Sequence, residues 1–168
     1  LSKFLGLLAV VLLAGPIAAH AGTIWSANGH EYEVVTSEGI TWTSASTAAQ
    51  ASGWYLVTIG SAAENSFVES LLNPGLASRS HFWIGATDQV SEGTYVWVDG
   101  TPFSFTDWWS GEPNNSNNED FLAMDLHAGA WAWNDAPDNL GTVYGFARGY
   151  LMERDSSTPT VPEPGSLA

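Results

Sequence analysis

The apolar residues of this chain fall into short runs separated by turn residues, and the runs predict the elements. Residues 5–13 are almost wholly apolar and follow Lys3. Trp25 to Val35 sets Asn28-Gly29 between apolar and aromatic residues. Asn-Gly is the preferred type I′ turn, so a hairpin is expected there. Trp42, Ala45, Ala48, Ala49 and Ser52 recur at helical spacing, with Thr41 or Thr43 as cap and Gly53 as stop. Trp54 to Ile59 reads as a buried strand. Ser61-Ala62-Ala63-Glu64 is a capping box, and Phe67, Val68, Leu71 and Leu72 share the face behind it, up to Pro74-Gly75. Phe82 to Gly85 and Thr94 to Val98 are short strands, the second ending at Asp99-Gly100. Residues 101–118 are rich in Gly, Pro, Ser, Asn and Trp and predict one long loop, of the kind that usually carries function. Phe121–Leu126, Ala130–Trp133 and Tyr144–Glu153 close the pattern as strands.

Two helices followed by short strands and a large loop make an α+β domain. Its expected bounds are 22–155. Lys3, the apolar run and Ala19-His20-Ala21 have the layout of a signal peptide over residues 1–21, cleaved before Gly22. The run is too short for a membrane span, which needs ~20 residues. Residues 156–162, Ser-Ser-Thr-Pro-Thr-Val-Pro, are a polar linker.

Composition narrows the function. With 168 residues and ordinary hydrophobic content, one packed domain is expected. The absence of cysteine excludes thiol chemistry and zinc–thiolate sites, and requires a core that stands without disulfides. The formal charge is -14. Such a chain repels nucleic acid and anionic membranes and attracts cations.

The acids are not spread evenly. No Lys or Arg lies between Arg79 and Arg148, yet that interval holds Asp88, Glu92, Asp99, Asp107, Glu112, Glu119, Asp120, Asp125, Asp135 and Asp138. Asn114, Asn115, Asn117, Asn118 and Asn134 add amide oxygens. Calcium takes six to eight such oxygens in irregular geometry. On composition alone, a solvated acidic surface accounts for the run equally well.

The order of the residues decides between the two. Gly111-Glu112-Pro113-Asn114-Asn115 is followed by Glu119-Asp120 and then by Trp133-Asn134-Asp135. Trp83-Ile84-Gly85-Ala86 lies upstream, after Trp42 with Ala45 and after Leu56-Val57-Thr58-Ile59 with the following Ser61 and Glu64-Asn65. In this order, over about residues 23–154, the chain resembles the C-type lectin domain. The resemblance implies a C-type lectin-like fold of two helices, short antiparallel strands and a calcium-binding loop. It implies Ca2+ held by Glu112, Asn114, Glu119, Asn134 and Asp135, with Asp135 giving side-chain and backbone oxygen. The Glu112–Pro113 bond would be cis, as X-Pro bonds allow. About six protein oxygens would leave two places for vicinal hydroxyls of a glycan or exopolysaccharide. In the family, Glu-Pro-Asn goes with mannose-type ligands and Gln-Pro-Asp with galactose, so mannose, glucose, N-acetylglucosamine or fucose is expected. Asp88-Gln89-Val90-Ser91-Glu92 resembles an auxiliary calcium segment, in which Asp88 and Glu92 would join Asn115, Asp120 and the Glu119 backbone. A solvated turn explains that segment almost as well.

The chain also departs from the family. The usual cysteines are missing at Ala49 and Met152 and near Phe121 and Asp138. The segment between Glu-Pro-Asn and Glu-Asp is one residue shorter than in mannose-binding members. Trp42, Trp83 and Trp97 are expected in the core. Trp108, Trp109, Trp131 and Trp133 are expected to pin the loop. His20, His30, His81 and His127 have no ligand spacing. Val161-Pro162-Glu163-Pro164 and the residues up to Ala168 resemble the start of the PEP-CTERM sorting signal of Gram-negative bacteria, which points to a secreted, surface or exopolysaccharide-associated protein. Two other readings stand beside the lectin: a structural or protein-interaction module on the same fold, and a glycosidase using paired carboxylates. A hydrolase needs an acid in an apolar pocket, whereas these lie among Asn and Gly, so no enzyme is expected.

Overall fold

The computed structural model describes residues 22–139 and 146–156. The signal segment 1–21, the sorting-signal residues and the start of the last strand at Tyr144 lie outside the described residues.

The elements run β1 (Thr23–Ile24), β2 (His30–Thr36), α1 (Trp42–Ala51), β3 (Tyr55–Leu56), α2 (Ala62–Ser70), β4 (Ser80–Thr87), β5 (Val96–Trp97), β6 (Phe121–His127), β7 (Ala130–Ala136) and β8 (Phe146–Asp155). One sheet joins them in the order β1-β2-β8-β4-β6-β7, with β3 on β8 and β5 on β4. The expectation of antiparallel strands needs one correction: β4 and β8 pair in parallel. They are joined by no hairpin, so no tight turn dictates their relative direction.

Both helices start where their caps predict. Thr41 accepts from the Ser44 N–H, and Ser61 accepts from the Glu64 N–H. The capping box closes differently from expectation. Glu64 Oε2 reaches the Gly60 N–H at 2.8 Å, while Oε1 accepts from the Tyr32 hydroxyl at 2.6 Å. Competition from the hairpin draws the carboxylate off the cap residue. The Asn28-Gly29 turn is a four-residue loop and not type I′. Only Gly29 is left-handed (φ 79°), and its N–H donates to the Trp25 carbonyl at 2.8 Å. Asn28 is committed elsewhere, to Tyr32 and Glu64. Ala48 is solvent-exposed, and the buried stripe of α1 is Trp42, Ala45 and Ala49.

Each sheet face carries one core. Phe82, Ile84, Leu122, Met124 and Leu126 pack with Val68 and Leu72 of the α2 side. Trp83, Phe121, Ala123, Tyr150 and Met152 pack with Trp42, Ala45 and Ala49 of α1. Strands covered on both faces read as continuous apolar runs, which is why β4 and β6 do. Trp42, Trp83 and Trp97 are buried, as expected. The expected strand Trp54–Ile59 forms a ladder only at Tyr55–Leu56, because the chain then crosses the sheet: the Val57 N–H donates to Leu151, while the Val57 carbonyl accepts from Gly85.

That crossing explains the glycine of Trp-Ile-Gly. A methyl group at Gly85 would lie 2.9 Å from the Val57 carbonyl oxygen and from Val98 Cγ2, and closer still to the Leu56 carbonyl. Gly85→Ala is therefore expected to cost about 2–3 kcal/mol by overpacking, read from urea unfolding. A change under about 0.5 kcal/mol would contradict this packing.

Noncovalent contacts occupy the places where the cysteines are missing. Ala49 and Met152 are both buried in the α1-side core. Near the second place, the Trp42 and Phe121 rings lie 4.8 Å apart, and Asp138 accepts from Thr43 N–H at 2.8 Å and Thr43 Oγ1 at 2.9 Å. No helix among the described residues is long and apolar enough to cross a membrane.

Candidate metal centre

The long loop leaves β5 and returns to β6, and its first half is held by aromatic packing. Phe103, Phe105 and Trp108 surround the fully buried Trp133 at centroid distances of 6.0, 5.6 and 5.8 Å. Backbone pairing then lays the loop against β7. The Trp133 N–H donates to the Asp107 carbonyl at 2.7 Å, and the Trp109 N–H donates to the Trp133 carbonyl at 2.8 Å. Trp109 also stacks on His127 at 4.7 Å, and His127 Nε2 meets Asp125 Oδ2 at 2.6 Å. Trp108, Trp109 and Trp133 thus pin the loop, as expected, and do so beside Asn134-Asp135; Trp131, expected to do the same, instead packs edge-on against Phe82 of β4 at 5.9 Å.

From Trp109 the chain turns into the Glu-Pro-Asn triplet. The Glu112 N–H donates to the Trp109 carbonyl at 2.9 Å, Gly111 is left-handed (φ 100°), and the Glu112–Pro113 bond is cis. Asp135, fully buried, gathers the following backbone. It accepts from the Asn114 N–H at 3.0 Å through Oδ2, and from the Asn115 N–H at 2.7 Å. The Asn114 amide donates to Glu112 Oε2. The Ser116 N–H donates to Asn114 Oδ1 at 2.7 Å and to Glu119 Oε2 at 2.9 Å. Asn115, Asn117 and Asn118 have φ of 48°, 64° and 69°, a region Asn tolerates better than most residues. The Asn run is therefore what lets so short a loop fold back on Glu119.

The result is a trio. One carboxylate oxygen each from Glu112, Glu119 and Asp135 lies within 4.8 Å of the others. Asn114 adjoins it through Glu112, and the Asn134 amide donates to the Asp135 carbonyl at 2.7 Å. The described ion pairs of Arg148 and Arg154 go to Glu38 and Glu31, not to this trio. Burial, then Asp135, push Glu112 up to about 7, against the opposing donation from Asn114. Glu119 is also pushed up to about 7, by burial and then Asp135, with the Ser116 N–H opposing and Glu112 adding to the rise. Clustered carboxylates, two buried and one half-buried, that form no described ion pair with a base are what a cation would neutralise, so the donor set fits a hard, oxygen-seeking ion.

The four residues expected at an auxiliary site converge less. Asp88 is buried. Its Oδ2 accepts from the Gly93 N–H at 2.8 Å, while Oδ1 has no hydrogen-bond partner. Burial raises Asp88, the Gly93 N–H opposes, and the charges of Asp120 and Asp135 add. The exposed Glu92 is raised by lost hydration and then by Asp88, Asp120 and Asp135. Asn115 Oδ1 accepts from the Glu119 N–H at 2.8 Å, and Asp120 Oδ2 from the Asn118 amide at 2.8 Å. Among the described residues, only Glu112, Glu119 and Asp135 form a compact trio. Ser116, Asp107 and Asn65 also shape the site; Asp107 stood among the acids of the interval and Asn65 in the Glu64-Asn65 pair, but none of the three was expected at the metal, since their partners are set by the fold.

The pH dependence follows from the two glutamates. A group whose folded pKa is raised stabilises the fold at low pH and loses that contribution as pH rises through the folded value. The unfolded reference is the ordinary glutamate value, about 4.3. The metal-free domain is therefore expected to gain thermal stability as pH falls from 8 towards 5. Glu112→Gln with Glu119→Gln should flatten that slope. Equal slopes in the two proteins would contradict the assignment.

The Lectin C-type domain family matches residues 38–143. This chain belongs to the C-type lectin domain family. It is 34% identical over 110 residues to a perlucin-like protein of Mytilus galloprovincialis, covering 63% of this chain and 70% of that one. It is 33% identical over 102 residues to C-type lectin domain family 4 member D of Homo sapiens, covering 60% of this chain and 46% of that protein, so it spans under half of that relative. Among solved structures it resembles the cow CD23 carbohydrate-recognition domain crystallised with a GlcNAc2Man3 oligosaccharide (TM-score 0.65, 26% identity, 81% of this chain and 98% of that one). A calcium-independent type II antifreeze protein shares the fold alone (TM-score 0.66, 18% identity, 83% and 95% covered). C-type lectin domains are non-enzymatic binding proteins, which removes the glycosidase reading.

Proposed function

We propose that this C-type lectin domain binds carbohydrate through a calcium ion held by Glu112, Asn114, Glu119, Asn134 and Asp135. The supporting observation is the trio of facing carboxylates, which has no ion pair with Arg148 or Arg154 among the described residues. When bound, calcium supplies direct coordination to two vicinal sugar hydroxyls. The protein's own part is to orient them. Glu112 and Glu119 accept hydrogen bonds from the hydroxyls, and the Asn114 and Asn134 amides donate to them. The Asn114–Glu112 hydrogen bond already holds an acceptor and a donor side by side. Asp88, Glu92, Asn115 and Asp120 are proposed as a second, supporting site, for which the unpartnered buried Asp88 Oδ1 is the argument.

The Glu-Pro-Asn triplet supports a mannose-type ligand that offers a vicinal pair of equatorial hydroxyls: the 3- and 4-hydroxyls of mannose, glucose or N-acetylglucosamine, or the 2- and 3-hydroxyls of fucose. Changing Glu112→Gln and Asn114→Asp together is expected to reverse the preference for mannose over galactose in a competition assay, with calcium still bound. Retained mannose preference would count against the triplet as the sugar reader. The apolar segment 5–13 and the Val161-Pro162-Glu163-Pro164 tail support secretion and a bacterial surface or exopolysaccharide setting. The second reading, a protein-interaction module without sugar, draws on the sharing of this fold with a calcium-independent protein. It predicts that the same double change leaves partner binding intact.

A further inference from the structure

The proposed ligands come from two stretches, 112–119 and 134–135, and the chain has no cysteine to fix one against the other. The parallel backbone bridge between residues 107–109 and Trp133 is one tie. A second tie comes from a helix that carries no ligand. Asn65 on α2 is 4% exposed. Its Oδ1 accepts from Trp133 Nε1 at 2.9 Å, and its Nδ2 donates to Asp107 Oδ2 at 2.8 Å and to Glu69 Oε1 at 2.7 Å. Trp133 immediately precedes Asn134 and Asp135, and Asp107 begins the segment that turns into Glu112. One buried side chain therefore grips the root of each ligand-bearing stretch.

We propose that Asn65 is a positioning residue for the calcium site: it sets the spacing between the Glu112–Asn114 arm and the Asn134–Asp135 arm without touching either. The inference rests on the calcium reading given above. The chemistry is specific to a carboxamide. The position needs an acceptor for the indole N–H and, at the same time, a donor to carboxyl groups. Leucine fills similar volume but leaves the Trp133 N–H and Asp107 without their partner. Aspartate keeps the acceptor but sets a third carboxylate against Asp107 and Glu69. Groups one shell out from a metal typically change its affinity by roughly 10–100-fold when removed.

The test compares calcium affinity and stability across variants of the intact chain, by calorimetric titration with calcium chloride and by urea unfolding in EDTA. Asn65→Leu and Asn65→Asp are expected to weaken calcium binding at least about tenfold. Val68→Ala, on the same helix and fully buried, should lose stability with its calcium affinity unchanged within about twofold, because it removes none of the hydrogen bonds that join Asn65 to Trp133 and Asp107. Should the Asn65 variants fail to fold, Asp107→Ala removes the other end of the tie at a half-buried position and should weaken calcium similarly. In a folded Asn65→Leu background, Asp107→Ala should add little, since the two act as one unit. Wild-type calcium affinity in Asn65→Leu or Asp107→Ala overturns the inference and leaves the metal reading standing. So does an affinity loss that Val68→Ala matches. A wild-type protein that takes up no calcium removes both.

Discussion

Glu119→Gln is expected to change stability in opposite directions with and without calcium. Glu119 is 2% exposed, faces Glu112 and Asp135, and is pushed up to about 7 by that environment. Near pH 7.5 the carboxylate is charged, desolvated and repelled by its neighbours. A glutamine of the same shape removes the repulsion and keeps an oxygen to accept from the Ser116 N–H. In EDTA the variant should therefore unfold at a higher temperature than the wild type. In calcium the order should invert. At a hundredfold excess over Kd, ligand binding adds about 2.7 kcal/mol to the wild type, or roughly 10 °C for a domain of this size. The variant, with a ligand charge deleted, should gain almost none of it. Thermal unfolding of the two proteins in each buffer reads all four values. A variant that keeps the calcium shift would remove Glu119 from the ligand set.

The second large effect is expected at Trp133→Ala. The indole has no exposure and is ringed by Trp97, Phe103, Phe105 and Trp108 at 5.7, 6.0, 5.6 and 5.8 Å. Its N–H is satisfied by Asn65. The substitution opens a cavity among four rings and strips Asn65 of a partner. Loss of a large buried aromatic typically costs about 3–5 kcal/mol, a substantial part of the 5–15 kcal/mol that holds an average domain together. Because Trp133 lies between the core and Asn134, the loop should loosen as the core does. Urea unfolding should show the drop in midpoint. A loss below about 1 kcal/mol would mean that the aromatic cluster does not support the loop.

These two residues also mark what a reader of the chain alone can and cannot see. Glu119 was identifiable, because the Glu-Asp pair stands at a recognisable distance after Glu-Pro-Asn. The helix starts at Thr41 and Ser61 were identifiable for the same local reason: a cap and the face behind it lie within a few residues. Trp133 showed itself as part of a triplet, but its partners did not. Asn65 lies 68 residues away, in the second helix. The Glu64-Asn65 pair marks the helix, but nothing near it in sequence names Trp133 or Asp107 as its partners. The parallel pairing of β4 with β8 is equally non-local, joining strands with no hairpin between them. Asn28 shows the converse failure. A strong local turn signal was overridden, because its side chain is drawn to Tyr32 and Glu64. The auxiliary segment at Asp88 and Glu92 is an intermediate case: the residues are near one another, yet their carboxylates do not close as those of Glu112, Glu119 and Asp135 do.

In the proposed mechanism calcium and sugar meet at one place. Passing the folded domain over immobilised mannan in millimolar calcium, then in EDTA, tests that directly. Retention in calcium, with release by EDTA and by free mannose but not galactose, is the expected result. Asp135→Asn should pass straight through. Retention that survives EDTA, or a folded wild-type domain that never binds in calcium, would contradict the proposed mechanism.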